Sequence, residues 1–322
     1  MRKKARRDGM ISHNINDLTI SRALDLCGEF SEIEVAFMCE FLEPGDVAVE
    51  VGANIGSLTV PLANAVGEEG TFIASEPQPV LFQNLCANIA LNGPCHVRTV
   101  NGAVGNRQGS VRLPKLEHTK PGTFSAHGIG SWEDGDTTGV LQLDDALKVS
   151  RCKFMKIDVE GMEANVIRGA RDVIRRCRPV LNVENDRWEK LLELIRMLQE
   201  MDYSLCWHLP PFSNPENYFR EPDNEFWGII SINMLCTPGG LTVPRADIYR
   251  ILSPDNWWSD ILPAGATVGY RDKNILNTDL LRLRMRDRRS CYRPFSLCSR
   301  AAIFYKGASL RGRLVRGSYD YQ

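Results

Sequence analysis

The sequence predicts an α/β fold, a doubly wound, mainly parallel sheet of about seven strands, with a helical N-terminal lead and a basic C-terminal appendage. Three observations carry this. Short β-branched or apolar runs recur, namely VAVEV (47–51), TFIAS (71–75), HVRTV (96–100), FMKIDV (154–159) and PVLNVE (179–184). Such near-continuous apolar strands belong to a sheet covered on both faces. Segments of helical length and periodicity separate them. The series then closes with two successive strand-like runs, YSLCWHL (203–209) and FWGIISINMLC (226–236), with no helix between them. That ending predicts an antiparallel hairpin at one edge.

Each element has its own signals. Residues 1–44 form the lead. MRKKARR is basic with no apolar stretch after it, so it lacks the pattern of a secretory signal and is expected to be solvated and disordered. Phe30 to Leu42 predicts a helix, with Ser31 and Glu34 in capping-box spacing, Phe30 and Val35 as a hydrophobic staple, and Pro44-Gly45 as the stop. The central domain is expected over 45–240. After VAVEV, Pro61 is tolerated only near a first helical turn, so a helix is expected from about Thr59 to Val66. Leu81, Leu85 and Ile89 mark the next helix, ending at Asn92-Gly93. From Asn101 to about Gly139 the chain is glycine-rich and weakly periodic. One short strand, SVRLP, and a long irregular excursion are expected there, and a loop of that length is characteristically functional. Glu163 to Arg176 and Asp186 to Met201 predict two further helices, the second with Trp188, Leu191, Leu192, Ile195 and Leu198 on one face.

Composition bounds the function. The 322 residues are 43% apolar and 25% charged, ordinary globular values, and the net charge of −1 offers no global field for nucleic acid or an anionic membrane. No apolar run approaches a membrane span. The ten cysteines include no CxxC pair, so they are expected to be reduced thiols of a cytoplasmic protein, with no metal required. Residues 241–322 lose periodicity. From Arg271 onward there are 13 Lys or Arg against 4 Asp, a basic extension without an assigned role.

In open α/β sheets ligands bind beyond the C-terminal ends of the strands. The first such loop is EVGANIGSLT (50–59). Gly52 would allow the tight turn there and Gly56 a ligand close to the helix start. The spacing is not the G-x-G-x-x-G of a dinucleotide site. Asn54 stands where that motif has its middle glycine, crowding a pyrophosphate yet able to contact a smaller nucleoside. A tight turn without ligand is the alternative. Glu76 ends the second strand, where a carboxylate can accept both hydroxyls of a ribose. It would equally serve as a favourable charge at a helix N-terminus, worth ~0.3–1 kcal/mol. Asp158 closes the fourth strand and Glu160 opens the turn that Gly161 permits, where substrate would meet cofactor. Glu163 is expected to cap its helix, and Asp144 and Asp145 a short one. His127, with His118 in the long excursion, and His208 at a strand end are candidates for an acceptor pocket, with solvated or structural roles as the alternative.

At this point the stretches EVGANIGSLT, SEPQPVLFQNLCANIALN, NGAVGNRQG, and KIDVEGMEANVIRGA with RPVLNVE resemble the FkbM-type S-adenosylmethionine-dependent methyltransferases. The resemblance runs from about Glu43 to Pro238, includes NPENYF and the strand ending in NMLC, and stops before the C-terminal segment. It implies a Rossmann-like class I methyltransferase fold and S-adenosyl-L-methionine as cofactor. It puts Glu50, Gly52, Asn54 and Gly56 around the methionine moiety and Glu76 on the ribose. Asn101, Ala103 and Val104 would frame the adenine through backbone or apolar contact, since NGAV supplies no acid. It also implies O-methylation of a hydroxyl on a sugar or secondary-metabolite-like small molecule. Asp158 would then be the general base and Glu160 the substrate orienter. A catalytically silent cofactor-binding homologue and a nicotinamide-dependent oxidoreductase are the rival readings.

Overall fold

The structure, a computed structural model, describes residues 1–124, 135–222, 225–226, 229–239, 248–251, 281–284 and 302–303. It opens with a hairpin of β1 (Arg2–Arg6) and β2 (Gly9–His13), followed by α1 (Ile20–Cys27) and α2 (Glu32–Cys39). Alternation then begins with β3 (Val47–Val51), α3 (Thr59–Val66), β4 (Thr71–Ser75), α4 (Pro79–Asn92) and β5 (Val97–Val100). An excursion of β6 (Ala103–Val104), β7 (Gly109–Pro114), β8 (Gly135–Leu141) and α5 (Leu143–Ala146) precedes β9 (Phe154–Ile157), α6 (Glu163–Gly169), α7 (Arg171–Cys177) and β10 (Val180–Glu184). The described chain continues with α8 (Trp188–Glu200), β11 (Tyr203–His208), β12 (Ile229–Ile230), β13 (Asn233–Pro238), β14 (Ile248–Arg250), β15 (Leu281–Arg284) and β16 (Ala302–Ile303).

The central sheet runs β14-β11-β13-β10-β9-β3-β4-β5. From β5 to β10 every pairing is parallel, and β13 lies antiparallel between β10 and β11. These are the expected seven strands and the expected closing antiparallel member. The three-residue β14 extends that edge by pairing with β11, so part of the segment after residue 240 joins the sheet.

All of β3 is buried, as a strand covered on both faces must be. One face puts Ala48, Phe72, Phe154, Val180 and Leu235 against α2 and α3. The other puts Val49, Met155, Ile157, Leu181, Val183 and Trp207 against α6, α7 and α8. The chain winds outward from β3 to β5, then returns to β9 on the opposite side of β3. That reversal opens a crevice at the C-terminal ends of β3 and β9.

Four local expectations are corrected. The lead is solvated along β1, as expected, but ordered rather than disordered, because Asn side chains of α4 act as a substitute strand for β2. Asn88 Oδ1 accepts the Ser12 N–H at 2.7 Å and Nδ2 donates to the Ser12 carbonyl at 2.9 Å; Asn92 does the same for Met10 at 2.7 and 3.0 Å. Several of the lead's charges are paired locally, with Arg2, Arg6 and His13 all on Asp25 and Arg7 on Glu29. At α2 no capping box forms: Ser31 has a left-handed φ of 51°, and its Oγ donates to the Glu34 carboxylate instead. The helix expected over 163–176 is interrupted at Ala170, where Gly169 passes the Gly105 carbonyl so closely that a Cβ would lie 2.0 Å from its oxygen. The excursion is more regular than expected. Its strands form a sheet ordered β6-β8-β7, although 125–134, including His127, lie outside the described residues.

FWGIISINMLC divides in two. Only β13 enters the central sheet, while β12 pairs with β15, which pairs with β16. Asp144 caps as expected, but its partner is another helix: its carboxylate accepts the N–H groups of Asp172 and Val173 in the first turn of α7. Among the described residues no helix is long and apolar enough to cross a membrane.

Candidate active site

Strand register builds the site. Glu50 on β3, Lys156 on β9 and Asn182 on β10 are successive partners across the sheet, so their side chains share one face. Two residues further along, Asp158 and Glu184 stand on that same face, and Glu184 is paired with Asn233 of β13. Polar groups therefore form two rows at the crevice. Above them α2 contributes Glu34, and the loop before β13 contributes Ser231.

All of these except Asn182 line one cavity of about 150 Å³. Its first half is formed by Gly52, Asn54, Glu76 and the Gly102–Val104 stretch. Its second half is formed by Asp158, Glu160, Glu184 and Asp186, faced by Phe30 and Phe212, whose rings meet edge to face at 5.2 Å. Phe124 and Ile20 also reach it, so the lead and the excursion both wall the cavity.

In the first half the loops clasp one another. Glu76 accepts the Asn54 N–H on one oxygen at 2.9 Å and the Gln78 N–H on the other at 2.8 Å. Both carboxylate oxygens are thus fixed in place with further lone pairs available to a ligand. Burial nevertheless pushes its pKa to about 7. Asn54 adopts φ 51° and turns its Oδ1 to the next N–H, Ile55, at 2.8 Å. Gly52 has φ +90°, and a Cβ there would lie 1.8 Å from the Asp158 carbonyl oxygen. Its demand is for contact between β3 and β9 as well as for the turn.

Two cofactor assignments are not brought to the cavity. Gly56 packs beneath α4, where a Cβ would meet Leu85 Cδ1 at 2.8 Å. Asn101 does not line the cavity; its Nδ2 donates to the Glu76 and Pro77 carbonyls at 2.9 and 3.3 Å and ties β5 to that loop. Ala103 and Val104 do line it.

Glu50 is 1% exposed and accepts the Thr59 hydroxyl at 2.6 Å. Burial raises its pKa to about 7 against the opposing pull of Lys156. Lys156 Nζ, 3% exposed as a residue, donates to Asp158 Oδ2 at 2.7 Å. Burial works against its charge, but Asp158, Glu34 and Glu50 together raise its pKa. Asp158 feels the converse: burial pushes its pKa up, and the Lys156 charge and hydrogen bond outweigh this and hold it below the usual carboxylate value. Glu184 is hydrogen-bonded to Asp158, and burial plus the neighbouring carboxylates raise its pKa well above normal. The pair titrates as a unit, with the proton kept on Glu184 and Asp158 ionised. Glu160, at φ 55°, is ion-paired with Arg187. Glu163 does serve its loop, accepting the Gly161 N–H at 2.8 Å.

His208 is fully buried with its ring centroid 4.0 Å from that of Phe37, and it does not line the cavity. His118 stays at the surface, where its carbonyl accepts from Asn14 and Asn16. Sequence reasoning missed Glu34, Lys156, Glu184 and Asp186. For Glu184 and Asp186 a signal existed, since acids at a strand's C-terminal end had already marked Asp158. For Glu34 the helix-start pattern offered a local explanation that concealed it.

The residues fit a cationic nucleoside cofactor. Seven carboxylates line the cavity against one lysine, an environment suited to a sulfonium. Glu76 presents fixed carboxylate oxygens at the cavity wall, and the Gly102–Val104 stretch beside it is uncharged. This sheet and these loops have the layout of the class I methyltransferase fold. Residues 50–205 match the family described as Methyltransferase FkbM domain.

Among solved structures, an FkbM methyltransferase from Methylobacillus flagellatus KT is 16% identical with a TM-score of 0.39, covering 63% of this chain and 50% of its own. This chain thus spans half the length of that protein. Fibrillarin from Aeropyrum pernix, determined with natively bound S-adenosyl-L-methionine, is 11% identical over 64% of this chain and 74% of its own, with a TM-score of 0.37. A SAM-dependent methyltransferase from Aquifex aeolicus is 13% identical over 69% of this chain and 94% of its own, with a TM-score of 0.36. No curated protein matches the chain significantly.

Proposed function

We propose that the chain transfers the methyl group of S-adenosylmethionine to a hydroxyl oxygen of a small molecule or saccharide. The observation that carries this is the position of Asp158. Its backbone carbonyl packs on Gly52 of the first cofactor loop, and its side chain, 35% exposed, lies in the acceptor half of the same cavity.

When bound, the cofactor supplies an electrophilic methyl whose leaving group departs neutral. No residue is therefore needed to protonate a leaving group. The chain must align the acceptor oxygen, and good alignment contributes ~7–11 kcal/mol. It must also receive the hydroxyl proton. Asp158 takes that role as general base, kept ionised by Lys156 and held in orientation at Oδ2. Glu160, fixed by Arg187, orients the acceptor's other hydroxyls. Phe30 and Phe212 offer an apolar wall for a ring to pack on. The acid-rich lining favours neutral or cationic acceptors over anionic ones. On this reading the methyltransferase unit spans 45–240. The described cysteines form no disulfide with one another, which suits a cytoplasmic protein.

The test is Asp158→Asn, assayed for cofactor binding and for methyl transfer to a panel of sugars and hydroxylated metabolites. We expect binding within a few-fold of wild type and transfer reduced by ~100-fold or more. Near-normal turnover in the variant would remove the base assignment. Cofactor binding by the wild type without transfer to any acceptor would favour the silent homologue.

A further inference from the structure

The acceptor half of the cavity contains more than a base and an orienter. Asp158, Glu160 and Glu184 come from three different backbone settings: the end of β9, the turn after it, and the end of β10. One carboxylate oxygen of each lies within 4.8 Å of the others. Asp186 lines the same wall, and Lys156 is the one cation among the lining residues.

Two unpartnered atoms are aimed at this cluster. Glu184 Oε2 is buried with no hydrogen-bond partner. Asn233, 4% exposed, stands directly opposite Glu184 on β13 and lines the same cavity, and its Nδ2 finds no partner. A buried carboxylate oxygen calls for a cation or a donor, and a buried amide N–H calls for an oxygen. A hydrated cation answers both, with the metal on the carboxylate and a metal-bound water on the amide.

We propose that Asp158, Glu160 and Glu184 bind one hydrated divalent cation of the magnesium class in the acceptor half of the cavity. An all-oxygen, carboxylate-rich donor set suits hard cations, and magnesium retains several waters beside one or two carboxylates. Lys156 holds Oδ2 of Asp158, and Arg187 pairs with Glu160 beside it. The role of the site depends on the proposed function. A cation bound to the acceptor oxygen makes that hydroxyl more acidic. As the O–H proton passes to Asp158, the oxygen forms its bond to the methyl carbon and the S–C bond breaks, leaving neutral S-adenosylhomocysteine.

The full chain is titrated without cofactor, using MnCl2 followed by the electron paramagnetic resonance of free Mn2+, and MgCl2 followed by calorimetry. The site predicts one saturable Mn2+ per chain with a Kd on the order of 1 mM or tighter. Asp158→Asn and Glu184→Gln should each weaken it at least tenfold. Glu193→Gln, an exposed change remote from the cavity, should leave it unaltered. Glu160→Gln replaces either variant if one fails to fold. No saturable binding to folded wild type up to about 10 mM would overturn the site and assign the orphaned atoms to the acceptor itself. Unchanged binding in the variants would also overturn it. Cofactor binding is followed in parallel. Cation binding without cofactor binding removes the methyl-transfer reading and keeps the site, and the converse removes the site alone.

Discussion

Replacing Glu76 by Gln tests the cofactor site at the point where its geometry is most explicit. Glu76 is 5% exposed, and each of its oxygens already accepts one backbone N–H, from Asn54 at 2.9 Å and Gln78 at 2.8 Å. A glutamine has one acceptor oxygen, so its NH2 must face one of those two donors. That leaves a buried backbone N–H without a partner, at a cost of about 1–3 kcal/mol in stability. For the ligand, a charge-assisted bond to a ribose hydroxyl becomes a neutral one or is lost. Hydrogen bonds to charged groups contribute ~1.5–3 kcal/mol, so affinity should fall by roughly 10- to 150-fold. Calorimetric titration with S-adenosylmethionine and S-adenosylhomocysteine, with NAD as control, measures this directly. The unfolding midpoint of the same sample reports the stability cost separately. A folded Gln variant that binds both sulfur nucleosides within twofold of wild type would refute the ribose assignment and leave Glu76 as a clasp between two loops.

The same burial gives a pH signature. Glu50 and Glu76 keep their protons to about pH 7 in the fold, against an ordinary value near 4.5, so between those values the folded state binds more protons than the unfolded. Their contribution to stability is therefore greatest below about pH 4.5, falls as pH rises towards 7, and is level above it. Cofactor binding should show the opposite trend, tightening from pH 5.5 to 7 with proton release, below the range where the cofactor's α-amino group titrates. Calorimetry in two buffers of different ionisation enthalpy checks it, and a pH-independent Kd would count against the acids. Gly52→Ala adds a Cβ 1.8 Å from the Asp158 carbonyl oxygen at φ +90°, whereas Gly93→Ala has φ +81° and nothing within 4 Å. Denaturant melts should give a loss of about 2–5 kcal/mol at 52 against about 1–2 at 93, and equal losses would contradict the close approach. Asn88→Ala removes three hydrogen bonds, two to Ser12 and one to the Ile55 carbonyl, freeing the lead from both α4 and the cofactor loop. It should cost about 2–4 kcal/mol in thermal unfolding and expose the first hairpin to limited proteolysis, and an unchanged digestion pattern would refute the docking.

What was legible in the sequence was whatever depends on residues near one another in the chain. The strands announced themselves because a doubly covered sheet forces continuous apolar runs, and Glu76 and Asp158 because an acid ending such a run lies at a predictable edge. What was hidden depends on register between strands. Lys156 in FMKIDV is an unexplained charge inside a strand until Glu50 and Asn182 are aligned on either side of it, and only then does its burial make sense. Glu34 is the sharper case. Its spacing from Ser31 is what a capping box requires, so the local explanation was complete and gave no reason to look further. In the fold Glu34 is 5% exposed, accepts the Ser31 and Ser231 hydroxyls, and lies close enough to Lys156 for that charge to oppose its burial. A buried carboxylate with an unsatisfied cost must find compensation through space, and the compensating lysine is more than 120 residues away in sequence. The Asn88 and Asn92 contacts with β2 follow the same logic. An asparagine amide presents one donor and one acceptor as a peptide does, so a helix side chain can complete a strand ladder that no β-pattern in the sequence would reveal.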